Sequence, residues 1–151
     1  MCPWVLLAQE CAAQSFEEDF SFMKDAGYSF ALHSKLRFRT ATFWRDSKFE
    51  LVSQHDKDRT LVTALKFKET GATVYIVNCH LSAGPFPDKR LRQIHDGIEQ
   101  VRKEAQKAAA PAGGKGGGKG AAPPPPPTNV VVCGDFNADG YSGECCPSTN
   151  W

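Results

Sequence analysis

The chain has 151 residues, 41% of them hydrophobic and 23% charged, with a net charge of +1. That length suits one ordinary domain, and the composition supports a sizeable core and argues against disorder throughout. So small a charge gives the whole molecule no attraction to nucleic acid or membrane, and no apolar run approaches the ~20 residues of a membrane span.

Residues 4–9, WVLLAQ, form a short continuous apolar run that predicts a strand buried on both faces. The opening MCPWVLLAQE lacks a basic leader and does not read as a signal peptide. Phe16, Phe20 and Met23 recur at helical spacing, with Gly27 as the stop. TATFWR (40–45) and KFELV (48–52) are aromatic and β-branched, as strands are. TLVTALKF (60–67) alternates, with Leu61, Thr63, Leu65 and Phe67 on one face. ATVYIVNCHL (72–81) is a mostly buried strand after a turn at Glu69-Thr70-Gly71.

Beyond Pro85 and Pro87 the period changes. Leu91, Ile94, Ile98, Val101 and Ala105 make an apolar stripe, with Lys and Arg on the other face, predicting an amphipathic helix over 88–106. Residues 107–128 are rich in Ala, Gly, Lys and Pro, bury no core, and read as a flexible insertion. NVVVCG then reads as a buried strand. This order predicts an α/β or α+β sandwich with helix-covered sheets, built from 1–106 and resumed over 129–151.

The six cysteines form no C-x-x-C pair and no zinc spacing. Cys79 and Cys133 sit in apolar strand patterns as small buried hydrophobes, while the adjacent Cys145 and Cys146 fit no motif. Reduced thiols set the expectation of an intracellular, cytoplasmic protein.

The stretch NVVVCGDFNADG (129–140) carries the chemistry. Asp135, Asn137, Asp139 and Gly140 match the opening of an EF-hand calcium loop, but that loop needs a preceding helix and a Glu at its twelfth position. Here a strand precedes, and the twelfth position is Cys146. The calcium reading fails on both counts. The alternative places a carboxylate and an amide at the end of a buried strand, two apart and so on one side of an extended backbone. Gly134 permits close approach just before them. LLAQE puts Glu10 at one further strand end, and VNCHLS puts His80 at another.

Taken together, LLAQE, NCHLS and VVVCGDFNAD resemble, in order and rough spacing, the endonuclease/exonuclease/phosphatase family. The segments GYSFALHSKLRFRTATFWRDSKFELV and DKRLRQIHDGIEQV look most like its nocturnin-like deadenylase branch. The resemblance spans roughly 4–106 and 129–140. It implies part of a four-layer α/β/β/α sandwich with mixed sheets, and a metal-dependent phosphodiesterase using Mg2+ or Mn2+. By the same resemblance Glu10 is the metal ligand, His80 contacts the scissile phosphate, Asp135 orients or deprotonates water, and Asn137 holds a phosphate oxygen. Asn78 and Arg59 are the expected substrate-binding residues.

The implied substrate is nucleic acid, RNA attacked from its 3′ end. Nucleotide cofactors or phosphoinositides are the alternative on the same chemistry. A noncatalytic module docking a protein partner through the prolines at 123–127 is the rival of another class. The family's Asn on a strand upstream of the Glu strand and its late Asp-His pair are missing from this sequence. The expectation is therefore a partial chain, inactive alone, with activity belonging to a longer parent.

Overall fold

A computed structural model describes residues 3–35, 37–109 and 129–138. Its first sheet joins β1 (Val5–Ala12), β2 (Tyr28–Leu32) and β3 (Phe38–Arg45) in the order β1-β3-β2, all antiparallel. The second joins β4 (Phe49–Lys57), β5 (Thr60–Phe67), β6 (Thr73–His80) and β7 (Val130–Asp135) in that order. There β6 and β7 are parallel, so the sheet is mixed. The short helices α1 (Phe16–Asp19) and α2 (Ser21–Asp25) cover the first sheet, and α3 (Pro87–Ala109) covers the second.

Three apolar clusters hold these layers. Phe16, Met23, Tyr28, Ala41 and Phe43 pack between α1/α2 and the first sheet. Trp44, Phe49, Leu61, Leu65 and Ile76 fill the space between the sheets. Val62, Val77, Cys79, Leu81 and Val101 lie between the second sheet and α3. The result is the α/β/β/α layering that the sequence led us to expect.

The differences from expectation are local. The strand YSFAL (28–32) was not foreseen, and the single helix expected around Phe16–Met23 is two, broken at Phe20. β1 is half-buried rather than buried on both faces, and it runs past Glu10 to Ala12. Helix α3 extends to Ala109, so residues 107–109 of the expected insertion are helical, while 110–128 lie outside the described residues.

Helix α3 is also rotated from its predicted stripe. Leu91 is exposed, whereas Arg90, Gln93 and Gly97 are buried. Gly97 explains the rotation: a Cβ there would come within 2.7 Å of Val77 Cγ1, so the bare backbone sets how closely the helix lies on the sheet.

Candidate active site

The ends of β1, β6 and β7 and the tip of the β4–β5 hairpin meet at one end of the sandwich. His80 stands at the centre, its side chain 11% exposed. Its Nε2 lies 3.6 Å from Glu10 Oε1 and 4.0 Å from Asp135 Oδ2. Both carboxylates face solvent, Glu10 at 70% and Asp135 at 48% exposure. Flanked by two carboxylates, Nε2 is the nitrogen that carries the proton. Nδ1 is buried without a hydrogen-bond partner.

A β-bulge brings Glu10 there. Ala8 pairs with Ala41 and Cys11 with Arg39, so Gln9 and Glu10 together oppose the single residue Thr40. In a regular strand these two side chains would point to opposite faces. At the bulge both reach β6: Gln9 Nε2 donates to Asn78 Oδ1 at 2.9 Å, and Glu10 meets His80. The turn at Glu10 costs backbone strain, with φ at 57°.

Asp135 is set by sheet register, directly beside His80 in the parallel β6–β7 pair. That closeness requires Gly134, where φ is +126° and a Cβ would stand 2.1 Å from Cys79 O. Asn137 does not follow the expected strand alternation, because β7 ends at Asp135 and Asn137 is left-handed at φ 48°. Its backbone N–H donates to Asp135 Oδ1 and its Nδ2 to Leu81 O, both at 2.9 Å. An Asx-type turn, rather than an extended backbone, joins the pair. Arg59, φ 63°, sits at the hairpin tip, and its carbonyl accepts from His80 N–H at 2.9 Å. Among the described residues Glu10, Arg59 and Asn137 are the non-glycine positions with positive φ. Strain of this kind clusters at functional sites.

The structure corrects the expectation for Asn78, whose side chain is not on the open face. It is fully buried between the sheets, accepting from Gln9 and donating to Ala41 O at 2.9 Å and Ala8 O at 3.4 Å. Its amide is engaged by protein groups on both sides, tying β1 and β3 to β6.

Residues that sequence reasoning passed over brace the site from behind. Ser82 N–H donates to Gln93 Oε1 at 3.0 Å, while Gln93 Nε2 donates to Asp58 Oδ2 and to Ser82 Oγ. Arg90 Nη1 donates to the carbonyls of Ser82 and Gly84. Helix α3 thus fixes both the loop after His80 and the hairpin tip that carries Arg59. One signal was available, since Arg90 lies a helical step before Ile94 on the stripe that faces the sheet.

Cys79 is fully buried as read, whereas Cys133, on the half-exposed strand β7, is only half-buried. Burial, then the neighbouring Cys133, pushes the Cys79 thiol up to about 12, and burial raises Cys133. Both stay protonated at neutral pH, as inert core groups. Asp139, Gly140, Cys145 and Cys146 lie outside the described residues. A cavity of about 580 Å³ opens under α1 and α2, and none of its lining residues belongs to the site.

Among the described residues no three His, Cys, Asp or Glu side chains converge as a ready metal cage. The donor set still suits a hard divalent ion, which binds through one or two carboxylates and keeps several waters. No helix of the described residues is long and apolar enough to cross a membrane.

Comparisons with known proteins bear on the fold. No protein-family model and no curated protein matches the sequence. Solved structures do. The human Nocturnin catalytic domain with bound sulfate is 22% identical with a TM-score of 0.66, covering 91% of this chain and 52% of its own. ANGEL2, a 2′,3′-cyclic phosphatase, in complex with adenosine-2′,3′-vanadate, is 22% identical with a TM-score of 0.67, covering 89% and 40%. A Bacteroides thetaiotaomicron endonuclease/exonuclease/phosphatase family protein is 16% identical with a TM-score of 0.65, covering 94% and 52%. The chain therefore spans about half, or less, of the length of these structures.

Proposed function

Starting from this endonuclease/exonuclease/phosphatase fold, we propose that the chain carries part of the active site of a metal-dependent phosphodiesterase acting on RNA from its 3′ end. The observation that supports the reading is the convergence of Glu10, His80, Asp135, Asn137 and Arg59 at one end of the sandwich. Neither burial nor core packing asks for two exposed carboxylates on one histidine.

Each residue has a role that its surroundings favour. Asp135 Oδ1 is engaged by Asn137 N–H, which leaves Oδ2 to align the attacking water and take its proton. Asn137 spends one amide hydrogen on Leu81 O, and its second is the donor for a phosphoryl oxygen as charge builds there. His80 Nε2–H donates to the phosphate or to the leaving oxygen. Arg59 offers a guanidinium to a phosphate. A magnesium or manganese ion, held through Glu10, would polarise a phosphoryl oxygen. The Asp-His pair and the upstream Asn implied by the resemblance are not among these residues, which supply only their own share of the chemistry.

The test is hydrolysis of bis(p-nitrophenyl) phosphate and of a short oligoadenylate by the native polypeptide, with Mg2+ and with EDTA. Asp135→Ala is expected to cost at least about 10²–10⁴-fold in rate. Unchanged turnover in that variant, or equal turnover in EDTA, would overturn the assignment. Release of mononucleotides from the 3′ end supports the exonuclease reading, whereas inorganic phosphate alone would shift it to a phosphatase.

A further inference from the structure

One basic and aromatic surface beside the site takes no part in the chemistry above. From Ala26 to Arg45 the sequence holds Lys35, Arg37, Arg39 and Arg45 and no acidic residue. Three of those cations lie on or beside the loop between β2 and β3. Around them the backbone forms a chain of contacts that leads to the site. Cys11, next to Glu10, pairs with Arg39, and Ala13 N–H donates to Arg37 O at 3.2 Å. On the other side, His33 is buried beneath the loop, its Nε2 2.8 Å from Lys57 O and its Nδ1 accepting from Lys35 N–H at 3.1 Å. Accepting at Nδ1, the neutral ring donates at Nε2. Ser34 N–H adds a bond to Asp56 Oδ2 at 2.9 Å. The loop is thus clamped to the hairpin whose tip carries Arg59, and Arg59 O holds His80 N–H.

Phe38 opens β3 at the end of this loop, 49% exposed, with the Arg37 guanidinium 5.5 Å from its ring centroid. By strand alternation it shares the face of β3 that carries Thr40, Thr42 and Trp44, the face turned toward the second sheet. Phe38 belongs to none of the three apolar clusters.

We propose that Lys35, Arg37 and Phe38 form a subsite for single-stranded nucleic acid, holding the strand next to the phosphate that sits at His80. The two cations pair with backbone phosphates, and the Phe38 ring stacks on a base. Single strands are bound in this way, by a basic track with interleaved aromatic platforms. The acids nearest the loop, Asp56 and Asp58, accept hydrogen bonds from Ser34 N–H and Gln93 Nε2, which fixes where their charge lies without cancelling it. The inference rests on the phosphoesterase reading for the strand's direction, but not for its binding.

The experiment is fluorescence anisotropy of a 5′-fluorescein oligoadenylate RNA on the full chain, titrated over a range of salt in EDTA so that no metal-dependent cleavage intervenes. Replacing Lys35 and Arg37 together by Ala should flatten the slope of log affinity against log salt by about 1.4, from about 0.7 per phosphate contact on single strands. Phe38→Leu, which keeps apolar bulk and removes the ring, should weaken binding roughly tenfold with the slope unchanged. An unchanged slope in the double variant, or unchanged affinity in Phe38→Leu, overturns the subsite. Equal binding of heparin and RNA, insensitive to Phe38, also overturns it in favour of unspecific anion attraction. Loop-dependent RNA binding, with no hydrolysis of any ester by the native polypeptide in Mg2+, would sink only the phosphoesterase reading. Hydrolysis of bis(p-nitrophenyl) phosphate with RNA binding blind to the loop would sink only this one.

Discussion

At the scale of single residues, the site is held in shapes that the backbone resists. A left-handed non-glycine residue costs on the order of 1–3 kcal/mol, and Glu10 adopts that conformation because the bulge turns its carboxylate to His80. Glycine pays no such penalty. Glu10→Gly is therefore expected to raise the unfolding free energy by about 1 kcal/mol while hydrolysis is lost. Urea denaturation alongside the esterase assay checks this, and a destabilised variant would refute the strain argument. The same logic runs in reverse at Gly134, where any side chain would drive β7 away from Cys79 and Asp135 away from His80.

At the scale of elements, helix α3 works as a brace as well as a cover. Gln93 spans from the loop after His80 to the hairpin tip before Arg59, two segments joined otherwise by the His80–Arg59 backbone bond. Gln93→Leu fills similar space but strands a buried Ser82 N–H, which costs about 1–3 kcal/mol. The expected signature is a lower denaturation midpoint and a kcat that falls more than KM rises, because His80 loses its fixed position. A midpoint equal to wild type would mean that α3 does not hold the loop.

At the scale of the whole molecule, charge ties α3 to the outer face of the second sheet. The Lys107 hydrogen bond, set against partial burial and aided by Ser53 and His55, holds the Glu104 carboxyl below its usual range. His55 Nε2 lies 3.1 Å from that carboxylate. Burial pushes Asp56 up, but hydrogen bonds from the side chain and backbone of Ser34 and from Gln54 outweigh it and bring Asp56 down. A depressed carboxylate stabilises the fold fully above its unfolded value and loses that contribution as pH falls through its native value. Thermal midpoints of wild type and Glu104→Gln should therefore differ at pH 6 and converge as the pH drops below about 4, where unfolded carboxyls protonate. A gap that persists at pH 2.5 would show that packing, and not charge, is responsible.

The sequence by itself determined every strand but β2, since apolar periodicity is local and sets which residues enter a core, while the family resemblance of its motifs supplied the α/β/β/α layering and the pairing of the Glu10, His80 and Asp135 strand ends. The buried thiol of Cys79 was legible for the same reason. Only the tertiary structure decided the details on which the chemistry turns. The bulge that aims Gln9 and Glu10 the same way depends on Thr40 across the sheet. Asn78 has the same residue type and position in the motif whether it meets substrate or Gln9, and only the packing of the two sheets assigns it. The rotation of α3 that buries Arg90 and Gln93 follows from the contact of Gly97 with Val77, two residues whose meeting no periodicity records. Local pattern gives each element its faces, and long-range contact decides what each face touches.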